Sequence, residues 1–374
     1  MKLRLTKNKR RIVMITAAVA AVAILVGLVC GISSCNKPVE PEPAPVTTTT
    51  TTKATTTTTT APPLPRNPLT GIEDFDTDNN RPVAFAVPDE SADLVQVGIE
   101  HAEMYFEAET EAGIPRMLAI FSSVDHLPEA VGPVRSARPH FIKYVNALDA
   151  IYCHIGGSGA ARQAIRNQGI NDIESAYQTD SILMQAVSAG KNYSWNNKAF
   201  IKDKVLNAID RMGYKTTSDT VSPYDFGTKK GDQPAASVNV KISHSYNIGF
   251  SYDKETGLYS KHRVTMKGTS AAMNMPIHKT GSGGTITVKN VIVMYDNRSV
   301  LDYKNGSAYH IDFELKQGKG TLAVDGKARD IVWKRTNEQL SFYEADGKTP
   351  LKVAEGKTFV CLTDKNLKAK TVIE

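Results

Sequence analysis

Cysteine is scarce: the 374 residues carry four. Two of them, Cys30 and Cys35, fall in the leader, which leaves Cys153 and Cys361 for the folded part. Two thiols supply neither a disulfide framework nor a zinc ligand set, so each is expected to be a small buried hydrophobe. The usual signatures of chemistry are missing too. No HExxH, paired CxxC, GxSxG elbow or EF-hand loop occurs, which removes the ordinary support for zincin, dithiol, α/β-hydrolase or calcium-loop readings. No metal and no cofactor are expected. Net charge is lacking as well, once its origin is traced. The formal +6 is carried by Lys2, Arg4, Lys7, Lys9, Arg10 and Arg11, and setting those six aside leaves 39 Lys and Arg against 39 Asp and Glu.

Those six cations precede a run of about twenty apolar and small residues without a charge, the layout of an export signal or an N-terminal anchor. Ile32-Ser33-Ser34-Cys35 resembles a bacterial lipobox, whose Cys is lipidated and becomes the first mature residue. Cys30 fits less well, because Val29 stands where a small residue belongs. An uncleaved apolar helix is the other reading. Either one puts the body on the outer face of the cytoplasmic membrane, since the basic flank stays inside. Residues 1–35 are therefore expected as a lipoprotein leader, with Cys35 as the membrane anchor. Residues 36–66, with two runs of six Thr between Pro-rich ends, cannot bury a core and are expected as an extended tether.

From 67 onward the chain is long enough for two domains. Residues 67–232 hold 15 Lys and Arg against 23 Asp and Glu, whereas residues 233–374 hold 21 against 14. An acidic half joined to a basic half suits mutual attraction, or a basic surface for anionic lipid or wall polymer. Nucleic acid is not expected outside the cell. In the first half, Pro82–Val87, Arg116–Phe121 and Ala150–Ile155 read as buried strands. Helical patterns run over 139–148, 160–167 and 198–212, so residues 67–232 are expected as an α/β domain. Beyond about 233, short runs such as Ser245–Tyr252, Leu258–Val264, Thr285–Tyr295, Thr321–Val324, Ala328–Trp333 and Thr358–Leu362 read as strands, with Asp325-Gly326 a turn. A β-rich domain, a small barrel or sandwich, is expected over 233–374. The class is α+β overall, and the polar stretch 214–236 reads as the linker.

Two stretches could carry a ligand. Val131-Gly132-Pro133-Val134-Arg135-Ser136-Ala137-Arg138-Pro139 sets two guanidinium forks beside a helix start, and Arg116 opens the preceding strand. Forks with free backbone N–H groups suit a phosphate or carboxylate. The opposing reading pairs these Arg residues with carboxylates between Glu100 and Glu111, a run otherwise expected as a solvated face. His154-Ile155-Gly156-Gly157-Ser158 ends a strand and leads into a helix, the place where open α/β sheets build sites. The expected ligand-binding residues are thus Arg116, Arg135, Ser136, Arg138, His154, Gly156, Gly157 and Ser158.

Taken in order, Asn67-Pro68-Leu69-Thr70-Gly71, Arg81-Pro82-Val83-Ala84, Gly113-Ile114-Pro115-Arg116, the Val131–Pro139 stretch and His154–Ser158 resemble the YerB-like lipoproteins of Gram-positive bacteria, the DUF3048 family. Asn290–Val293, Gly318-Lys319-Gly320, Val332-Trp333-Lys334 and Gly356-Lys357-Thr358-Phe359 resemble its second module. The resemblance implies a lipoprotein with an α/β part and a β-rich part, and supplies no activity. Lys191–Asn197 and Gly268–Met273 depart from the family pattern by lacking its histidines, which weakens an enzymatic expectation. Three readings stay open. One is a non-enzymatic lipoprotein that binds an anionic wall polymer or a wall-synthesis protein through the Arg residues. The next is an enzyme on a phosphorylated envelope substrate, by remote likeness to the LytR-CpsA-Psr phosphotransferases. The last is a scaffold.

Overall fold

The computed structural model describes residues 65–374 apart from 74, 76–77, 91–94, 175–182, 187–197, 220–221, 228, 230, 267–274 and 302–309, and at 183–186 and 266 the backbone alone. The leader, Cys35, the Thr/Pro tether and both departing segments, 191–197 and 268–273, lie outside the described residues. Among the described residues no helix is long and apolar enough to cross a membrane.

An eleven-stranded sheet runs through both halves of the chain. The first half supplies β1 (Val83–Pro88), β2 (Met104–Glu109), β3 (Pro115–Phe121), β4 (Ile151–His154) and β5 (Asp172–Glu174). Strands β6 (Ser237–Lys241), β7 (Tyr246–Asp253) and β8 (Leu258–Lys261) form most of a separate six-stranded sheet. The second half gives the large sheet β9 (Asn290–Asp296), β10 (Gln317–Val324), β11 (Lys327–Thr336), β12 (Gln339–Glu344) and β13 (Thr358–Asp364). Its order, from the β11 side, is β11-β10-β9-β13-β2-β3-β1-β4-β5, with β12 paired to β11 and Gln233–Pro234 flanking it. The β10–β11 hairpin turns at Asp325 and Gly326, both left-handed at φ 51° and 70°, as the Asp-Gly signal requires.

Period-two alternation sorts the sheet's two faces. Val83, Phe85, Val87, Tyr105, Met117, Ala119, Phe121, Phe359 and Cys361 face one core, shared with Val238, Val240, Ile248, Phe250 and Tyr259 of the small sheet and with Val205 and Ile209 of a helix, Lys202–Met212. Ala84, Ala86, Phe106, Leu118, Ile120 and Tyr152 face the other. There they meet helices α1 (Pro139–Ala147), through Phe141, Tyr144 and Val145, and α2 (Gly159–Gln168), through Ala161 and Ile165.

Texture does change near residue 233: all three α-helices among the described residues precede it, and after it come strands and one 3-10 turn. The β-rich half is nonetheless not a closed barrel, because the two largest sheets it contributes to have open ends. Nor does it keep a core to itself. Strand β2 pairs in parallel with β13, from Met104 opposite Thr358 to Ala108 opposite Leu362. The expected linker is laced into the fold, with Thr216 accepting from the Arg81 amide and Asp225–Phe226 paired to Lys352–Val353. Texture reports local geometry, and sheet continuity is a long-range property it does not contain.

The acidic run is the largest departure from expectation. Glu103, Glu107 and Glu109 are buried, on or beside a strand buried along its whole length, and so form no solvated face. Each has a partner from elsewhere: His126 for Glu103, Lys261 for Glu107 and Arg298 for Glu109. Cys153 and Cys361 are free and buried, as expected.

Candidate functional site

The Val131–Pro139 stretch wedges between the carboxyl ends of β1 and β4. Its backbone is hydrogen-bonded on both sides: the Arg135 amide donates to Ala86 O (2.7 Å), Ile155 donates to Arg135 O (3.0 Å) and Ala137 donates to Gly156 O (2.9 Å). The Gly-Gly turn therefore packs against this segment of the chain. A Cβ on Gly156, where φ is +72°, would lie 3.3 Å from Ser136 Oγ. Ser158 caps α2, its Oγ accepting from the Ala161 amide at 3.1 Å.

Arg116 and Arg138 converge. Arg138 grips Glu111 with both branches of its fork, Nε donating to Oε2 at 2.6 Å and Nη2 to Oε1, while Nη1 donates to Ala137 O. Arg116 Nη2 lies 4.0 Å from the same Glu111 Oε1, and its Nη1 donates to Ser136 O at 2.8 Å. Arg135 does not join them, since its Nη2 donates to Glu90 at 2.7 Å. All three guanidinium side chains are under a tenth exposed, whereas Glu111 is 25% exposed. Burial, then the neighbouring Arg138 charge, brings Arg116 down to about 10. Burial works against the Glu111 carboxylate, but the Arg138 hydrogen bond and charge hold it at about 2. Among the described residues the buried Arg116 Nε and Tyr152 hydroxyl find no hydrogen-bond partner, and both Arg charges act on that hydroxyl.

His154 belongs to a separate group. Its ring is fully buried, with Nδ1 2.8 Å from Gly156 O and Nε2 3.0 Å from Asp172 Oδ2. Strand β5 sets Glu174 opposite His154, and Arg162 donates to that carboxylate at 2.9 Å. Donor atoms of His154, Asp172 and Glu174 lie within 4.8 Å of one another, close enough to hold a metal ion, although the guanidinium already serves as a cation there.

Comparison with known proteins follows the same two parts. Residues 69–215 match the N-terminal domain of the protein of unknown function DUF3048, and residues 238–360 match its C-terminal domain. The chain belongs to the DUF3048 family. It is 29% identical over 299 residues to "Putative lipoprotein YerB" of Bacillus subtilis (strain 168), across 78% of this chain and 84% of that one. The crystal structure of the Bacillus subtilis YerB protein is similar with a TM-score of 0.68 at 25% identity, covering 83% of this chain and 99% of that chain.

Two of the segments that resemble the family meet where no site was expected. The Asn67–Gly71 turn and the Gly356–Phe359 segment border a cleft of about 390 Å³ lined by Asn67, Thr70, Phe75, Glu103, His126 and Lys357, among others. Glu103 sits at its base with four donors: Asn67 Nδ2 (2.6 Å) and His126 Nδ1 (2.8 Å) on Oε1, and the Ser122 amide (2.7 Å) and hydroxyl (2.5 Å) on Oε2. Asn67 Oδ1 in turn accepts from the Leu69 and Thr70 amides, which fixes the turn. Hydrogen bonding to Glu103 raises the His126 imidazole above its ordinary range. Burial opposes the Glu103 carboxylate, but the bonds from His126 and Ser122 hold it low. The two signature segments were the available signal; nothing in the sequence ties either of them to His126.

Proposed function

We propose that the protein is a lipoprotein anchored through Cys35 on the outer face of the cytoplasmic membrane, whose folded part binds a compact anion at Arg116 and Arg138. The anion is a phosphate or carboxylate carried by an envelope polymer or a wall-synthesis partner. One observation carries the reading: two buried guanidinium groups converge on the single, part-exposed carboxylate of Glu111, beside an unpartnered Arg116 Nε and Tyr152 hydroxyl. Buried polar groups without partners are rare and costly, and an anion between the forks would satisfy both. Glu111 is then an internal anion that the ligand displaces. Arg135, Ser136 and the Gly156–Ser158 turn hold the wedge that carries Arg138. The likeness to a lipoprotein supports the anchor.

The bidentate Arg138–Glu111 pair equally favours the scaffold reading, and Glu111→Gln separates the two. Under the binding reading the variant frees the forks and binds pyrophosphate about tenfold or more tightly than the parent by calorimetry, a gain of roughly 1.4 kcal/mol, while Arg138→Gln binds none. Absence of pyrophosphate binding in both parent and Glu111→Gln would leave the scaffold. Anchoring is tested separately. Cys35→Ala should abolish acyl labelling and release the protein from membranes or leave an unprocessed precursor. Unchanged labelling would move the anchor elsewhere.

A further inference from the structure

Glu103 and His126 form an oriented carboxylate–imidazole pair at 2.8 Å. Glu103 is fixed by four donors and about a tenth exposed; it receives His126 at Nδ1, and the ring is 37% exposed at the cleft. Phe75 meets the ring edge-on at 5.4 Å and sets its plane. With Nδ1–H committed to a carboxylate, the nitrogen left for chemistry is Nε2. A Ser-His-Glu triad is not formed, because Ser122 Oγ approaches the same Nδ1 at 3.1 Å and is itself buried, whereas a nucleophilic serine must face the other nitrogen. The nucleophile this arrangement can activate is water.

Lys357 completes the cleft. Its ammonium spends one N–H on Glu100 O at 2.6 Å, which leaves two donors. Ile72 and Phe75 offer an apolar wall to an uncharged acyl group, and Glu73, which also lines the space, is paired with Arg66 at 2.8 Å.

We infer that His126, oriented by Glu103, is a general base that activates water against a carboxylic ester held in this cleft, with Lys357 facing the developing oxyanion. Water gives a proton to Nε2 as its oxygen bonds to the carbonyl carbon, and the carbonyl electron pair moves onto the oxygen beside Lys357. When that pair returns, the bond to the alcohol breaks and the alcohol takes the proton from Nε2. Acid and alcohol result, and no oxidant or reductant is used. The site is independent of the Arg116–Arg138 anion site and its failure leaves that reading untouched.

Hydrolysis of p-nitrophenyl esters of increasing acyl length by the purified folded protein is the test. The parent should hydrolyse at least one of them above buffer, with a rate rising through an inflection above pH 6.5, the ordinary histidine value. His126→Gln should lose about 100-fold or more, the usual contribution of a general base. Glu103→Gln should move the inflection down, which a merely structural role would not do, and Lys357→Met should lower kcat with the inflection in place. NMR titration of the His126 ring in the parent reads the same value without relying on a variant's folding. Parent activity no higher than buffer, a His126→Gln rate equal to the parent's, or a ring titrating at or below its ordinary value overturns the proposal.

Discussion

Replacing Lys261 with Met should destabilise the protein by about 3–5 kcal/mol, the cost of breaking a buried ion pair by removing one partner. Lys261 has no exposed side-chain surface, and its Nζ donates to Asp89 at 2.5 Å and lies 3.8 Å from Glu107, both equally buried. Burial drives the Glu107 carboxyl well above its ordinary range, so Glu107 is the group that carries a proton. Asp89 keeps its charge: burial opposes it, but Lys261 and His278 hold it at about 2. Without Lys261 that charge keeps Glu107 as a neutral hydrogen-bonding neighbour and His278 at 3.7 Å, itself pushed down to about 3 by burial, and neither supplies a positive charge. Asp89→Asn combined with Lys261→Met should regain much of the loss, since no charge is then stranded. Thermal unfolding of the single and double variants reads this, and a single variant melting with the parent refutes it. The acid side follows by linkage. Because the folded value of about 2 lies below the ordinary 3.8, this stability is present above 3.8 and is lost as pH falls through 2.

Cutting the chain between residues 232 and 233 should give two fragments that do not fold apart. Residues 65–232 would lose β13 from the edge of β2, where seven-residue β13 also pairs in parallel with β9. Tyr105 would lose its stacked partner Phe359 at 5.3 Å, and Asp89 and Glu107 would lose Lys261. The second fragment would expose the facing surfaces of both cores. Mixing the fragments should restore cooperative unfolding. Cooperative melting of residues 65–232 alone would show that each family segment is a domain in the thermodynamic sense.

The strands β1, β3 and β4 were legible because each is an apolar run between polar turns, and α1 and α2 because helical patterns run over 139–148 and 160–167. Strand β2 was not legible. Met104-Tyr105-Phe106-Glu107-Ala108-Glu109 carries two acidic side chains whose burial depends on residues far along the chain, the Lys261–Asp89 pair beside Glu107 and Arg298 on Glu109. A periodic pattern registers the charge and not the distant partner. The Arg motif shows the same limit from the other side. Its residue types announced a carboxylate or phosphate, and in the structure the carboxylate is Glu111.

By itself the sequence determined what depends on neighbours along the chain: the hairpin turn at Asp325-Gly326, the helical stretches, and the change of texture near residue 233. These follow from local sterics, solvation and backbone propensity. Tertiary structure alone decided the parallel seam of β2 and β13, which joins two family segments into one sheet, and the partner that each buried charge receives. It also decided that Asn67, Glu103, His126 and Lys357 share one cleft, with Ser122 buried behind Glu103. Glu103 and Ser122 meet because antiparallel pairing sets Met104 opposite Ile120, and Lys357 arrives because β13 begins beside β2. Register across strands is fixed by the packing of whole faces, and no stretch of sequence carries it alone.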